Sequence, residues 1–176
     1  AGEKQTSESV CKSCVNGKYS DTGDGMTSID TCKNCVKGKY SNTGVGMNSE
    51  NTCKSCGEGQ YSDQFSQTSC KRCVRGKYSD SGLSQASESV CKNCTAGKWS
   101  DDSGLTSESD CTPCVDGKYS DAGTGQSTGN VCKSCVGGTY SDTGSGMTSI
   151  NTCKSCVGGK YSDAGTRQTS ESVCKS

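Results

Sequence analysis

The sequence has no histidine, and phenylalanine, tryptophan and proline occur once each among its 176 residues. Without an imidazole it lacks the side chain that most often serves as general base or activates a nucleophile. Apolar residues make up 28% of the chain, a share that includes its 17 cysteines. No run approaches the roughly 20 apolar residues that a membrane helix needs. No window shows helical periodicity, because glycine interrupts every candidate. Nor does either sign of charge dominate. The 19 Lys and Arg residues equal the 19 Asp and Glu residues, so nothing steers the chain to nucleic acid or anionic lipid. Leu, Ile, Val and Phe are too scarce to bury a conventional core. Ordering each residue costs roughly 1–2 kcal/mol, so this Ser-, Thr- and Gly-rich composition needs some other constraint to escape disorder.

Cysteine supplies that constraint. Its frequency approaches that of a disulfide scaffold, which implies an oxidising compartment and hence an extracellular or cell-surface location. The chain opens on Ala1 with no signal peptide, the expectation for a mature product or a fragment.

The cysteines reveal an internal repeat. CxxC pairs begin at Cys11, Cys32, Cys53, Cys70, Cys91, Cys111, Cys132 and Cys153, and Cys174 opens a ninth. The consensus is C-K-x-C-V-x-G-K-Y-S-D-x-G-x-G-x-T-S-x-x-x. Residues 1–10 read as the tail of a preceding repeat. Repeats 1 to 8 then occupy 11–31, 32–52, 53–69, 70–90, 91–110, 111–131, 132–152 and 153–173, and 174–176 start repeat 9. Repeat 3 is four residues short and repeat 5 one short, both in the turn segment, as suits a surface loop. Residues 1–13 match 164–176 at all but two positions, which leads us to expect a window on a longer periodic protein.

Each copy keeps a Gly six residues after its first cysteine, from Gly17 to Gly159, where we expect positive φ or close chain approach. An aromatic follows at Tyr19, Tyr40, Tyr61, Tyr78, Trp99, Tyr119, Tyr140 and Tyr161. K-Y-S predicts a short strand with the ring on one face and Lys and Ser on the other. The aromatic is expected to be the core of its repeat, lying against a disulfide and the Val after the second cysteine. Ser-Asp-x-Gly then reads as turn chemistry. The fold class expected is a small, disulfide-rich, mostly irregular or β structure. Short hairpin modules would stack as a solenoid-like ladder into an elongated rod with no helix of note.

Sequence alone does not fix connectivity, but parity favours joining each second cysteine to the next first one. That gives Cys14–Cys32, Cys35–Cys53, Cys56–Cys70, Cys73–Cys91, Cys94–Cys111, Cys114–Cys132, Cys135–Cys153 and Cys156–Cys174, with Cys11 unpaired. A bridge inside each CxxC would close too small a ring and leave the long loop free. The competing chemistry is zinc, since C-x2-C-x17-C-x2-C is a legitimate four-thiolate spacing. Compartment and the unbroken array favour disulfides.

The C-x-x-C-V-x-G-K-Y-S-D run resembles the ephrin-receptor-like cysteine-rich repeats and the single-disulfide half-module of tumour-necrosis-factor-receptor cysteine-rich domains. The resemblance covers the whole chain. It implies lengthwise stacking of small β modules and the same pairing, with Cys14, Gly17, Tyr19 and Cys32 as the first instance. The chain carries Val15, Val36 and Val74 where those repeats often have proline.

Candidate sites are few. No catalytic residue, cofactor or metal site is expected. Asp21–Gly25 is similar to a calcium loop but lacks the closing Glu, and the recurrent Asp reads as a turn former. Glycosylation is the more credible modification. Asn93 heads the one standard acceptor, while Asn51, Asn130 and Asn151 sit in the weaker Asn-x-Cys form. Thr27, Ser28, Thr106, Ser107, Thr148, Ser149, Thr169 and Ser170 are candidates for O-linked sugar. The function expected is a non-catalytic, glycosylated shaft of an extracellular filament, stalk or surface coat. Its partners would be copies of itself or further repeats. The alternatives are a spacer in a receptor or adhesin ectodomain, or a zinc-binding array.

Overall fold

The computed structural model describes residues 14–20, 31–43 and 49–176. It contains no α-helix among them, and its strands are all two residues long. Seven antiparallel hairpins follow one another along the chain. They pair β1 (Lys18–Tyr19) with β2 (Lys33–Asn34), β3 (Lys39–Tyr40) with β4 (Lys54–Ser55), and β5 (Gln60–Tyr61) with β6 (Lys71–Arg72). Then come β7 (Lys77–Tyr78) with β8 (Lys92–Asn93), and β9 (Lys98–Trp99) with β10 (Thr112–Pro113). The last two are β11 (Lys118–Tyr119) with β12 (Lys133–Ser134), and β13 (Thr139–Tyr140) with β14 (Lys154–Ser155). The first strand of each hairpin carries the aromatic and the second follows the next cysteine, so a hairpin spans the junction between two CxxC pairs.

Local chemistry explains why each hairpin starts where it does. A β-turn precedes the aromatic strand, closed for example by the Lys118 N–H donating to the Val115 carbonyl at 3.0 Å. Its third residue, Gly117, has φ +74, a value that glycine reaches at little cost. Just before the cysteine that closes each of these modules the chain makes one 3-10 turn, as at Glu108–Asp110, Ile150–Thr152 and Glu171–Val173. The serine just ahead caps it: Ser107, Ser149 and Ser170 accept from the backbone N–H two residues on.

The structure divides into two compact units, residues 1–71 with 81–88, and residues 72–80 with 89–176. Within each, consecutive repeats are joined by backbone hydrogen bonds. In the first unit the Ser62 N–H donates to Gln85 at 2.9 Å, and the Ser84 N–H donates back to Cys56 at 2.9 Å. In the second, Ser100 donates to Gln126, Ser120 to Met147 and Ser141 to Gln168, all at 2.8–2.9 Å. Gly125 donates to Cys94 and Gly146 to Cys114 at 2.7–2.8 Å. The turn segment of one repeat thus runs parallel beside the aromatic strand of the repeat before it, with bridges from Tyr61 to Gln85, Tyr119 to Met147 and Tyr140 to Gln168. The hairpins that begin at Gln60, Lys77, Lys98, Lys118 and Thr139 thus gain a third chain segment from the neighbouring repeat, which an isolated hairpin needs for stability.

This third strand changes the assignment of inside and outside. Ser20, Ser41, Ser62, Ser79, Ser100, Ser120 and Ser141 are buried, not on a solvent face with lysine. Their main chain carries the inter-repeat bonds, so only a small side chain fits. Several of the hydroxyls bond to the turn two residues on, as from Asp102 N–H to Ser100 at 3.1 Å. The valines lie outside instead: Val15 is 54% exposed, and Val36, Val74, Val115, Val136 and Val157 are similarly open. The rings pack on sulfur, as Tyr78 does on the Cys94–Cys111 disulfide, with Leu105 beside it. Tyr61, Tyr119 and Tyr140 are also buried, while Tyr19, Tyr40 and Trp99 are half-buried. Tyr161 is a correction to the aromatic-core reading. It is 59% exposed, and its backbone partner is Lys175 on its own hairpin.

The turn residue that returns to the preceding cysteine has positive φ throughout the described repeats. Gly104, Gly125 and Gly146 occupy it, but so do Ser66, Ser84 and Arg167, with φ of 59, 60 and 64. For a residue with a Cβ this conformation costs about 1–2 kcal/mol, and glycine returns about 0.5–1 kcal/mol of that through a freer unfolded chain. Ser84→Gly is therefore expected to raise stability by about 0.5–1 kcal/mol. A shift of the denaturant midpoint to higher concentration would register it, and a fall would show that Ser84 makes some compensating contact.

Candidate functional site

The repeat junction recurs along the described residues, and it is built around sulfur. The structure joins Cys14 to Cys32, Cys35 to Cys53, Cys56 to Cys70 and Cys73 to Cys91. It likewise joins Cys94 to Cys111, Cys114 to Cys132, Cys135 to Cys153 and Cys156 to Cys174. Cα–Cα distances are 5.5–5.9 Å, inside the ordinary range. The second cysteine of nearly every pair is fully buried. Every described cysteine is bonded to another, which leaves no thiolate among them for a metal. Among the described residues no three potential metal ligands come together. Cys11 and Asp21 lie outside the described residues.

A ladder of ion pairs crosses the hairpins on the solvent side. The aspartate after the serine that follows the aromatic meets the lysine just after the next cysteine. The pairs are Asp63–Lys71, Asp80–Lys92, Asp121–Lys133, Asp142–Lys154 and Asp163–Lys175, all at 2.7–2.8 Å. The carboxylate read from sequence as a turn former thus also reaches across the hairpin. The sequence signal was present, since Asp and Lys keep a constant offset of 12 in four of these pairs. In repeat 5 Thr112 takes the place of that lysine, and there Lys98 pairs with Glu108 at 3.2 Å.

Hydrogen bonds from the lysines hold these five aspartates below the usual carboxylate range. Glu108 is lowered first by the Thr95 hydroxyl and then by Lys98. Lys71, Lys92, Lys133 and Lys154 are raised by their aspartates. A carboxylate whose folded pKa is depressed stabilises the fold at neutral pH and loses that contribution as pH falls through the folded value. The lysines lose theirs only as pH rises above the ordinary lysine range. Stability is therefore expected to be flat around neutrality and to fall modestly in acid. Every group is at least partly open to solvent and screened, so high salt should flatten the acid limb. Thermal unfolding followed from neutral to strongly acidic pH, at low and at high salt, checks this. A steep acid transition that ignores salt would assign the effect elsewhere.

The candidate glycosylation residues have different surroundings. Asn51, Asn130 and Asn151 are exposed, and their backbone N–H groups bond to the capping Ser49, Thr128 and Ser149. Thr106, Thr148, Thr169 and Ser170 are exposed, while Ser107 and Ser149 are half-buried caps. Asn93 is engaged: its amide donates to the Thr124 hydroxyl at 3.3 Å and lies over Gly125, where a Cβ would sit 2.9 Å from Asn93 Cγ. A glycan on the folded chain there would have to displace the Thr124–Gly125 turn. Thr27 and Ser28 lie outside the described residues.

No family model matches the chain, and no curated protein matches it. At the level of structure it is a tandem series of short hairpins, each stapled by a disulfide, as cysteine-rich repeats are. No helix among the described residues is long and apolar enough to cross a membrane.

Proposed function

We propose that the chain is a non-catalytic structural segment of an extracellular filament, stalk or surface coat. The observation that carries this reading is the sameness of the junctions. Within each unit the same serine amide, the same turn residue and the same cysteine carbonyl are bonded at successive steps. Groups spent in this way hold the next repeat in place and are not held open for a substrate. Disulfides at every junction suit an oxidising exterior. Exposed Ser, Thr and Asn side chains on the turns offer attachment points for sugar, which would solvate the outer surface.

Electron microscopy of the native, unreduced material tests the reading. Filaments with an axial period that divides into 20- or 21-residue units support it. Discrete particles or short membrane-attached stalks would replace it with a receptor or adhesin spacer. Peptide mapping of the same material tests the glycan component: sugar mass is expected on the exposed turn peptides, and bare peptides throughout would remove it.

A further inference from the structure

Repeats 5 to 8 depart from the consensus at positions far apart in sequence that meet on one surface. Trp99 replaces the tyrosine of every other repeat, and Pro113 is the single proline. Arg167 stands where Gly125 and Gly146 stand in the two preceding repeats. Lys98–Trp99 pairs with Thr112–Pro113 across one hairpin. A Cβ at Gly129 would lie 2.8 Å from Trp99 Cζ2, so the glycine there leaves room for the indole. Two adjoining cavities share Pro113 and Val115. One, of about 140 Å³, is mainly apolar and lined by Trp99. The other is an open groove of about 720 Å³ bordered by Asp116, Ser145, Thr166, Arg167 and Thr169. Arg167 holds its place at φ 64, a conformation that strains any residue with a Cβ and is often retained at functional positions.

We infer that this groove binds a neutral oligosaccharide. Its size falls within the range of small-ligand sites. Pro113 and Val115 offer an apolar floor to the C–H face of a pyranose ring, with the indole in the adjoining cavity behind them, while the border supplies complementary polar groups. Asp116 only accepts hydrogen bonds, Arg167 only donates, and the three hydroxyls do both, which matches the mixed donors and acceptors of sugar hydroxyls. One acid and one base leave the groove without net charge, so it offers little to a polyanion. An open groove also suits a chain that runs through it. Asp116 is not required by its turn, because Asn16, Lys37, Glu58, Arg75, Ala96, Gly137 and Gly158 occupy the same position elsewhere. The inference does not depend on filament formation, since the site lies within a single chain.

Trp99 is the chain's only tryptophan, so its fluorescence reports on one place. The full oxidised chain would be titrated with cellohexaose, xylohexaose, mannohexaose and chitohexaose, and with an oligogalacturonate as the acidic comparison. Calorimetry on the same samples provides a readout independent of the indole. At least one neutral oligosaccharide is expected to bind saturably, and Asp116→Ala and Arg167→Gly are each expected to weaken it about tenfold. Arg167→Gly adopts the residue of the equivalent turns, so its unfolding midpoint should stay level or rise while binding falls. Arg75→Ala, at the matching turn of repeat 4, should leave affinity unchanged. The inference is overturned if no neutral oligosaccharide binds by either readout, if only the acidic one does, or if binding survives in the Asp116→Ala/Arg167→Gly double variant.

Discussion

Gly97→Ala is expected to cost about 3 kcal/mol or more, whereas Gly123→Ala should cost only about 1–2 kcal/mol, although both glycines have φ +80. The backbone penalty is the same at the two positions, so the difference isolates contact. A Cβ on Gly123 meets nothing within 4 Å. A Cβ on Gly97 would fall inside van der Waals distance of the Gly146 carbonyl, two repeats along the chain. Nothing there can yield cheaply, because the Gly146 N–H is itself bonded to Cys114 at 2.7 Å and the Gly97 carbonyl accepts from Cys114 N–H at 2.8 Å. The same approach recurs between Gly76 and Gly125 and between Gly117 and Arg167, the last with a Cβ position 2.7 Å from the carbonyl oxygen. Array unfolding need not be two-state, so amide hydrogen exchange is the suitable probe. Gly97→Ala should strip protection from the Gly146 and Gly125 amides, and Gly123→Ala should leave both protected. Equal effects from the two variants would mean that backbone conformation alone fixes the invariant glycine.

The glycine was legible in the sequence as a place of positive φ or close approach, but its partner was not. Gly97 and Gly146 have one complete repeat between them, and a consensus compares copies without showing which of them touch. The same limit explains Ser and Val. Alternation along K-Y-S assumes a strand that continues, whereas the strands end after the aromatic and a turn from the next repeat completes the sheet. The serine then lies between segments of neighbouring repeats and the valine after the second cysteine faces outward from its β-turn. The spacing of the cysteines needed no such non-local knowledge. A near-constant interval and an unpaired first cysteine restrict the sensible pairings, and the short repeats lose residues where the chain is a turn. The groove beside Pro113 lay beyond sequence reasoning, because Asp116 and Arg167 fall in repeats 6 and 8 and come to one groove only through the inter-repeat packing.

Reduction of the disulfides is expected to abolish the ordered structure altogether, while chelators leave it intact. The hydrophobic alternative to the disulfides is slight. Buried apolar side chains among the described residues are cysteines and four tyrosines, and the valines that follow the second cysteines are exposed. A tyrosine such as Tyr78 packs on cystine sulfur, so breaking that bond also removes the surface the ring rests on. Six of the eight bridges span a sequence separation of 18 residues, which in the chain-entropy model is worth roughly 3 kcal/mol each. Two-residue hairpins that lose this constraint fall below the size at which isolated strands hold. The inter-repeat bonds fail with them, because the Cys94 and Cys114 carbonyls that accept from Gly125 and Gly146 are no longer fixed in position. A single lesion tests how far the collapse spreads. Replacing Cys114 and Cys132 together by serine should cost about 2–5 kcal/mol. Lost protection should centre on the amides that this bridge positions, including Gly146 and Cys135, while repeat 4 keeps its own disulfide from Cys73 to Cys91. Circular dichroism with a thiol reductant or with a chelator, followed by exchange on the double variant, decides between the outcomes. Structure that survives complete reduction would mean that the backbone ladder is stable by itself, and loss of structure to a chelator would show a metal holding the chain that the cystines do not account for.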